Sequence, residues 1–188
     1  IVERRRIQDP AMLKSVIRFL FDNIGNTCSA KRIADAMTSA GRKIASRTVE
    51  NYLEGITDSL LMYKVGRFDI KGKEYLRLLD KYYLADIGLR YYLLGTRSVD
   101  QGHILENVVF LELLRRGYQV YIGKASSAEV DFVAQDCDGN IEYYQVALTV
   151  REEATLAREL APLDSIPDHN PKYLLVMDND PPASHNGI

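Results

Sequence analysis

The sequence has no tryptophan, two cysteines, three histidines and six prolines in 188 residues, and each shortage excludes something. Cys28 and Cys137 stand far apart with no ligand-spaced neighbour, so neither a disulfide framework nor a zinc site is expected, and a reducing cytoplasm is the expected location. His103, His169 and His185 include no pair at the spacing of helix-borne metal ligands and are expected to be structural or solvated. Apolar runs are short; Val108-Val109-Phe110-Leu111 falls far below the ~20 residues of a membrane-spanning helix, so no membrane partner is expected. A Gly-x-x-x-x-Gly-Lys-Ser/Thr phosphate loop is also missing. The nearest approach, Gly66 to Gly72-Lys73-Glu74, has five residues between its glycines and a Glu where a magnesium-binding hydroxyl belongs, and reads as a hairpin turn. The opening Ile1-Val2-Glu3-Arg4-Arg5-Arg6 has neither Met nor the apolar stretch of a secretion signal, and reads as a cut inside a longer protein.

What is present is an ordinary globular composition, 46% hydrophobic and 27% charged, with room for one large or two small domains. The formal net charge of −2 conceals a division: residues 1–95 hold 17 Lys and Arg against 11 Asp and Glu, whereas residues 96–188 hold 7 against 15. A basic half is drawn to phosphate backbones; an acidic half repels them unless its carboxylates gather around a cation.

The pattern of the first half predicts three helices and a hairpin. Met12, Val16, Phe19 and Leu20 recur at helical spacing up to Gly25-Asn26; Ser29 caps a helix carrying Ile33, Ala34 and Met37 and stopped by Gly41; Ser46 opens a third with Val49, Tyr52, Leu53 and Ile56 inside. Strand-like runs Leu60–Val65 and Lys81–Leu84 flank a turn at Lys71-Gly72-Lys73, and Asp86 caps a short helix ending at Leu94. This is the pattern of a winged helix-turn-helix domain, residues 1–95. The second domain, residues 96–188, predicts the order helix (His103–Arg116), strands at Tyr118–Ile122, Glu129–Ala134 and Ile141–Val150, helix (Arg151–Leu163) and strand (Lys172–Met177). The fold class is α+β.

That αβββαβ order resembles the restriction-endonuclease-like fold, in which a divalent cation is held by an acid on the first helix, an Asp on the second strand and an acid two residues before a Lys on the third. Glu106 stands among the apolar residues of the first helix, four and seven positions before Phe110 and Leu113. Glu129 and Asp131 share one side of the second strand. The third strand reads Gln145-Val146-Ala147, an amide for the carboxylate and a methyl for the ammonium, and Glu142, three positions away, lies on the other face. Glu106, Glu129, Asp131 and Gln145 thus form a residual nuclease-like site, with Glu106 and Asp131 as ligands of a weakly held magnesium, or else ordinary solvated and hydrogen-bonded residues. An active nuclease would need a displaced Lys, for which Lys124 is the candidate. In the first domain Arg47, Asn51, Arg67, Lys71 and Lys73 could contact duplex DNA, against which Glu50 and Glu54 on the same helix face weigh in favour of a protein-packing role.

Several stretches together carry a family resemblance: Tyr82-Tyr83-Leu84-Ala85-Asp86-Ile87-Gly88-Leu89, Gly102-His103-Ile104-Leu105-Glu106-Asn107, Glu129-Val130-Asp131-Phe132-Val133, Tyr144-Gln145-Val146, Thr155 with Arg158-Glu159, and Pro171-Lys172-Tyr173-Leu174-Leu175 with Met177-Asp178. In order and spacing the chain resembles the C-terminal part of bacterial and archaeal AAA+ type ATPases that carry a winged helix and a restriction-endonuclease-like domain, in the branch with Gln-Val on the third strand. The resemblance implies that ATP is bound by an N-terminal domain absent from this chain. It also implies that this domain is the chain's first partner, with duplex DNA or another protein as the second.

Overall fold

Pro10 and Asp9 start the first helix: the ring presets the backbone of the first helical position, and the Asp9 carboxylate accepts the Met12 N–H at 2.7 Å. The structure, a computed structural model, describes residues 1–96, 101–125, 128–180, 184, 185 and 188, Arg77 and Leu78 by their backbone alone. The expected interdomain segment therefore lies partly outside the described residues. Its elements in chain order are α1 (Pro10–Asp22), β1 (Thr27–Cys28), α2 (Ala30–Ser39), α3 (Ser46–Asp58), β2 (Met62–Asp69), β3 (Glu74–Leu84), α4 (Ile87–Leu94), α5 (Gln101–Arg115), β4 (Gln119–Ala125), β5 (Ala128–Gln135), β6 (Ile141–Ala147), α6 (Glu153–Asp164) and β7 (Lys172–Val176). The molecule is a mixed helix and sheet protein, and no helix among the described residues is long and apolar enough to cross a membrane.

Two compact units divide the chain, the first formed by Ile1–Lys64 with Leu79–Val99 and the second by Val65–Leu78 with Asp100–Ile188. In the first, α1, α2 and α3 bury Val16, Leu20, Ile33, Val49 and Ile56 completely or nearly so. The Ser29 hydroxyl accepts the Arg32 N–H, and Gly41 leaves α2 at φ +79°, a backbone region that favours glycine. On α3 the expected inward set is buried while Arg47, Glu50, Asn51 and Glu54 are exposed. Arg5 pairs with Glu54 and Asp58 of that face. Thr27 and Cys28 pair antiparallel with Lys81 and Asp80, a two-residue strand too short to leave a periodic signal.

The hairpin departs from expectation. Its strands run past Val65 to Asp69 and resume at Glu74, and residues 65–78 belong to the second unit, so a single boundary at 95/96 does not describe the compact units. The physical reason is apolar: Phe68 and Ile70 continue the inward pattern beyond Val65 and enter a core cluster with Ala125, Val130, Val133, Tyr143, Leu163 and Ile166. Arg67, Phe68 and Asp69 pair in parallel with Ile122, Gly123 and Lys124, and Phe68, Tyr75 and Tyr121 pack their rings at centroid distances of 5.0 to 6.2 Å. Burial and the neighbouring Tyr75 push the Tyr121 hydroxyl up to about 12.

The rest of the second unit follows the expected order. Strand β4 pairs antiparallel with β5, β5 antiparallel with β6, and β6 parallel with β7. Helix α5 ends where Gly117 adopts φ +90°, Asp136 caps the β5–β6 turn by accepting the Asp138 and Asn140 N–H groups, and β6 stops at Ala147 rather than Val150.

Gly123 lies at a tight point of this packing. A Cβ there would stand 2.9 Å from Val130 Cβ, 2.9 Å from Val133 Cγ2 and 3.1 Å from Ile70 Cδ1. Gly123→Ala is expected to cost about 1–3 kcal/mol by overpacking, whereas Gly66→Ala, where a Cβ meets nothing within 4 Å, stays within about 0.5 kcal/mol. Urea unfolding of the two variants checks the contrast, and equal losses would contradict the packing described.

Candidate functional site

The ladder between β5 and β6 runs from Gln135↔Ile141 to Phe132↔Tyr144, and the next residues, Asp131 and Gln145, meet through side chains. Gln145 Oε1 accepts the Asp131 N–H at 3.3 Å, and Asp131 Oδ2 accepts the Val146 N–H at 2.8 Å. On the other flank of β5 the register with β4 slips by one between Tyr121↔Val133 and Gly123↔Val130, so Asp131 and Phe132 together oppose Ile122. Asp131 therefore sits on a bulge, where an extra residue re-aims a side chain.

Gln145 also reaches α6. Its Nε2 donates to Glu159 Oε2 at 3.1 Å, and Glu159 Oε1 accepts from Arg158 Nη2 at 2.7 Å. Gln145 is 8% exposed and shares its buried face with Tyr143 and Ala147. The segment before α6 is held by Asp178: its Oδ2 accepts the Val150 N–H at 2.7 Å, its Oδ1 accepts the Thr149 hydroxyl at 2.8 Å, and Arg151 approaches at 3.3 Å. These donors hold the Asp178 carboxyl below the usual carboxylate range, the Val150 N–H foremost.

The other expected members are placed as follows. Glu106 is buried on α5 at 7% exposure beside the wholly buried Asn107, with Phe110 and Leu113 buried on the same helix. Glu129 forms an ion pair with Arg67, which the hairpin brings to it. Arg67 is thus engaged within the second unit, its side chain 19% exposed. Lys71 and Lys73 remain exposed around the turn, where the Asp69 carboxylate accepts the Lys71 and Gly72 N–H groups. Lys124 is exposed and stands directly across from Glu129 on the neighbouring strand. Glu142 accepts hydroxyl hydrogens from Tyr118 and Tyr144, apart from the Gln145 cluster, and raises the pKa of both phenols, for Tyr144 after burial as the larger cause.

Sequence reasoning missed Glu159 as a member of this group, since Arg158-Glu159 enters it only among the stretches that carry the family resemblance. The contact with Gln145 depends on how α6 returns over the sheet, and no spacing along the chain encodes it.

The donor set does not fit a catalytic magnesium. Glu129 already has a guanidinium, Asp131 spends one oxygen on a backbone N–H, and residue 145 offers a neutral amide whose oxygen is turned to the Asp131 N–H. Among the described residues no group of three or more His, Cys, Asp or Glu is placed to hold a metal ion.

Residues 1–100, more than half of the chain, match the family described as "Domain of unknown function (DUF8612)", and the chain belongs to that family. It is similar to an uncharacterised protein of Haemophilus influenzae, 41% identical over 152 residues that make up 81% of this chain and 38% of that protein. It is also similar to an uncharacterised protein of Methanocaldococcus jannaschii, 34% identical over 137 residues, 71% of this chain and 30% of that protein. The chain spans well under half the length of either relative. No solved structure matches it.

If Asp131 serves the backbone, its amide should replace its carboxylate. Asp131→Asn keeps an acceptor for the Val146 N–H and is expected to stay close to wild-type stability, while Asp131→Ala orphans that donor and costs about 1–3 kcal/mol. Chemical denaturation of both variants decides; an Asn variant as weak as the Ala variant would mean that the negative charge itself is needed.

Proposed function

We propose that this member of a domain family of unknown function is the C-terminal regulatory or targeting module of an AAA+ type ATPase, a winged helix-turn-helix followed by a restriction-endonuclease-like domain with a degraded nuclease site. The observation that carries the reading is Gln145, set opposite Asp131 at the end of the β5–β6 ladder, with both ends of its amide engaged. Support also comes from the observed order of helix, three strands, helix and strand, and from Ala147, buried on the same face two residues after Gln145. Phosphodiester hydrolysis in such a site requires a cation fixed by carboxylates and a water held near a base or an ammonium. Gln145 and Ala147 supply neither.

The displaced-lysine alternative rests on Lys124, whose cross-strand neighbour Glu129 is already paired with Arg67; that pairing argues for structure over water activation. ATP is assigned to an N-terminal domain of the same protein. The relatives leave room for one, since more than three fifths of each lies outside the match, and one is bacterial and the other archaeal, as the resemblance implies. A cytoplasmic setting is part of the proposal, supported by two cysteines that are both free.

For the basic half, DNA is a second partner. Arg47 and Asn51 are exposed on α3 in the first unit, Lys71 and Lys73 at the turn in the second, and each pair is tested by itself. Glu50 and Glu54 share the α3 face and oppose phosphate contact there.

Linear, nicked and single-stranded DNA should remain uncut with magnesium or manganese, even at high protein concentration. Cutting by the wild-type chain that disappears in Asp131→Ala would sink the degraded-site reading in favour of the nuclease; the paired change Gln145→Glu with Ala147→Lys is the variant in which cleavage is sought as a positive control.

Duplex binding, measured by fluorescence anisotropy across a potassium chloride series, should be modest, tolerant of sequence and steeply salt-dependent. Reversing Lys71 and Lys73 to Glu should weaken it and flatten the salt slope. Arg47→Glu with Asn51→Asp tests α3 in the same way, and binding indifferent to salt and to both pairs of substitutions would leave α3 and the turn to protein packing.

A further inference from the structure

The degraded site raises a question that its missing groups do not answer: what joins β5 and β6, and α6 packed against them, where a cation would otherwise bridge the strand carboxylates. Glu159 on α6 is 15% exposed at its side chain and faces β6. A carboxylate brought against a sheet where a second carboxylate is expected would repel it, and in metal-dependent sites a divalent ion resolves that repulsion. Here residue 145 is an amide, and its two ends are chemically different. The Nε2 end donates to Glu159 at 3.1 Å, and this leaves the Oε1 end to accept the Asp131 N–H at 3.3 Å. A Gln has two donor hydrogens on one end and lone pairs on the other, so a single acceptor on α6 is enough to fix which way it points.

We propose that Glu159 is a positioning residue of this site: it orients the Gln145 amide so that one side chain joins α6 to the bulged strand β5, as a built-in substitute for a bound divalent cation. The inference rests on the degraded-site reading and deepens it. Glu159 touches no reacting group. Its other oxygen is held by Arg158 Nη2 at 2.7 Å, and the Arg158 side chain is 73% exposed. The amide serves two partners of opposite polarity, the Glu159 carboxylate and the Asp131 N–H, and a carboxylate at position 145 could serve only the second.

The chemistry makes the arrangement reversible by substitution. Gln145→Glu changes one NH2 group to oxygen, at almost constant shape, and sets two carboxylates at the distance now spanned by a hydrogen bond. That variant should demand a cation, and relieving the demand by Glu159→Gln should restore the original logic with donor and acceptor exchanged between strand and helix.

The test is a double-mutant cycle on the whole chain, followed by thermal unfolding and by calorimetric titration with magnesium and manganese chloride, with potassium chloride at matched ionic strength as the control. The wild-type midpoint should not respond specifically to either divalent ion. Gln145→Glu should melt roughly 5 °C lower and regain most of that loss with millimolar divalent ion and not with potassium. The double variant Gln145→Glu, Glu159→Gln should melt near wild type without added metal and lose the divalent response. A Gln145→Glu variant that is indifferent to divalent ions, or a double variant that keeps the full response, overturns the proposal. The readouts are stability and cation binding with no DNA present, so DNA cleavage by the wild-type chain would refute the degraded-site reading while leaving these outcomes to judge Glu159 by themselves.

Discussion

Everything around the candidate site depends on how two strands part without orphaning their backbone. At Phe132 and Tyr144 the β5–β6 ladder is still intact, and one residue further a backbone donor on each strand needs a new acceptor. A buried N–H left unpaired costs about as much as the hydrogen bond it has lost. Two side chains meet the need crosswise, Gln145 for the Asp131 N–H and Asp131 for the Val146 N–H. Residue identity at both positions is therefore constrained by hydrogen bonding before any chemistry is considered, and the gap can open only as far as those two side chains reach.

The bulge on the other side of β5 belongs to the same constraint. Val130 and Val133 both enter the core cluster with Leu163, which strict alternation would forbid for residues three apart. The extra residue between them lets Asp131 leave the pleat while both valines stay inside. Gly123 faces both valines and Ile70, and it has no side chain because the bulge and the hairpin strand close on that point. The hairpin segment supplies Phe68 and Ile70 to this core and Arg67 to Glu129, so one excursion of the chain delivers apolar filling and a compensating cation together.

Much of this was legible in the sequence because it is local. Capping at Ser29 and Asp86, glycines that end helices, and the 3.6 and 2 periodicities placed nearly every element within a few residues. The gap at Gln145-Val146-Ala147 was also legible, since it is a matter of residue type at a counted position. Three features were not. The two-residue strand at Thr27 is too short for a period to form, the attachment of residues 65–78 to the second unit depends on Ile122 and Gly123 more than fifty positions away, and the approach of Glu159 to Gln145 depends on the angle at which α6 returns. Non-local pairing of this kind leaves no spacing to read.

An amide in place of a carboxylate is easily taken for simple loss, yet the surroundings argue that it is accommodated. A site that had merely lost its acid would leave Glu159 facing an indifferent neighbour and Glu129 facing solvent. Instead Glu159 meets a donor and Glu129 meets Arg67. Both negative charges are answered by groups covalently part of the chain, which need no ion concentration to remain in place. On the proposed reading such a unit needs no divalent ion to hold α6 against the sheet.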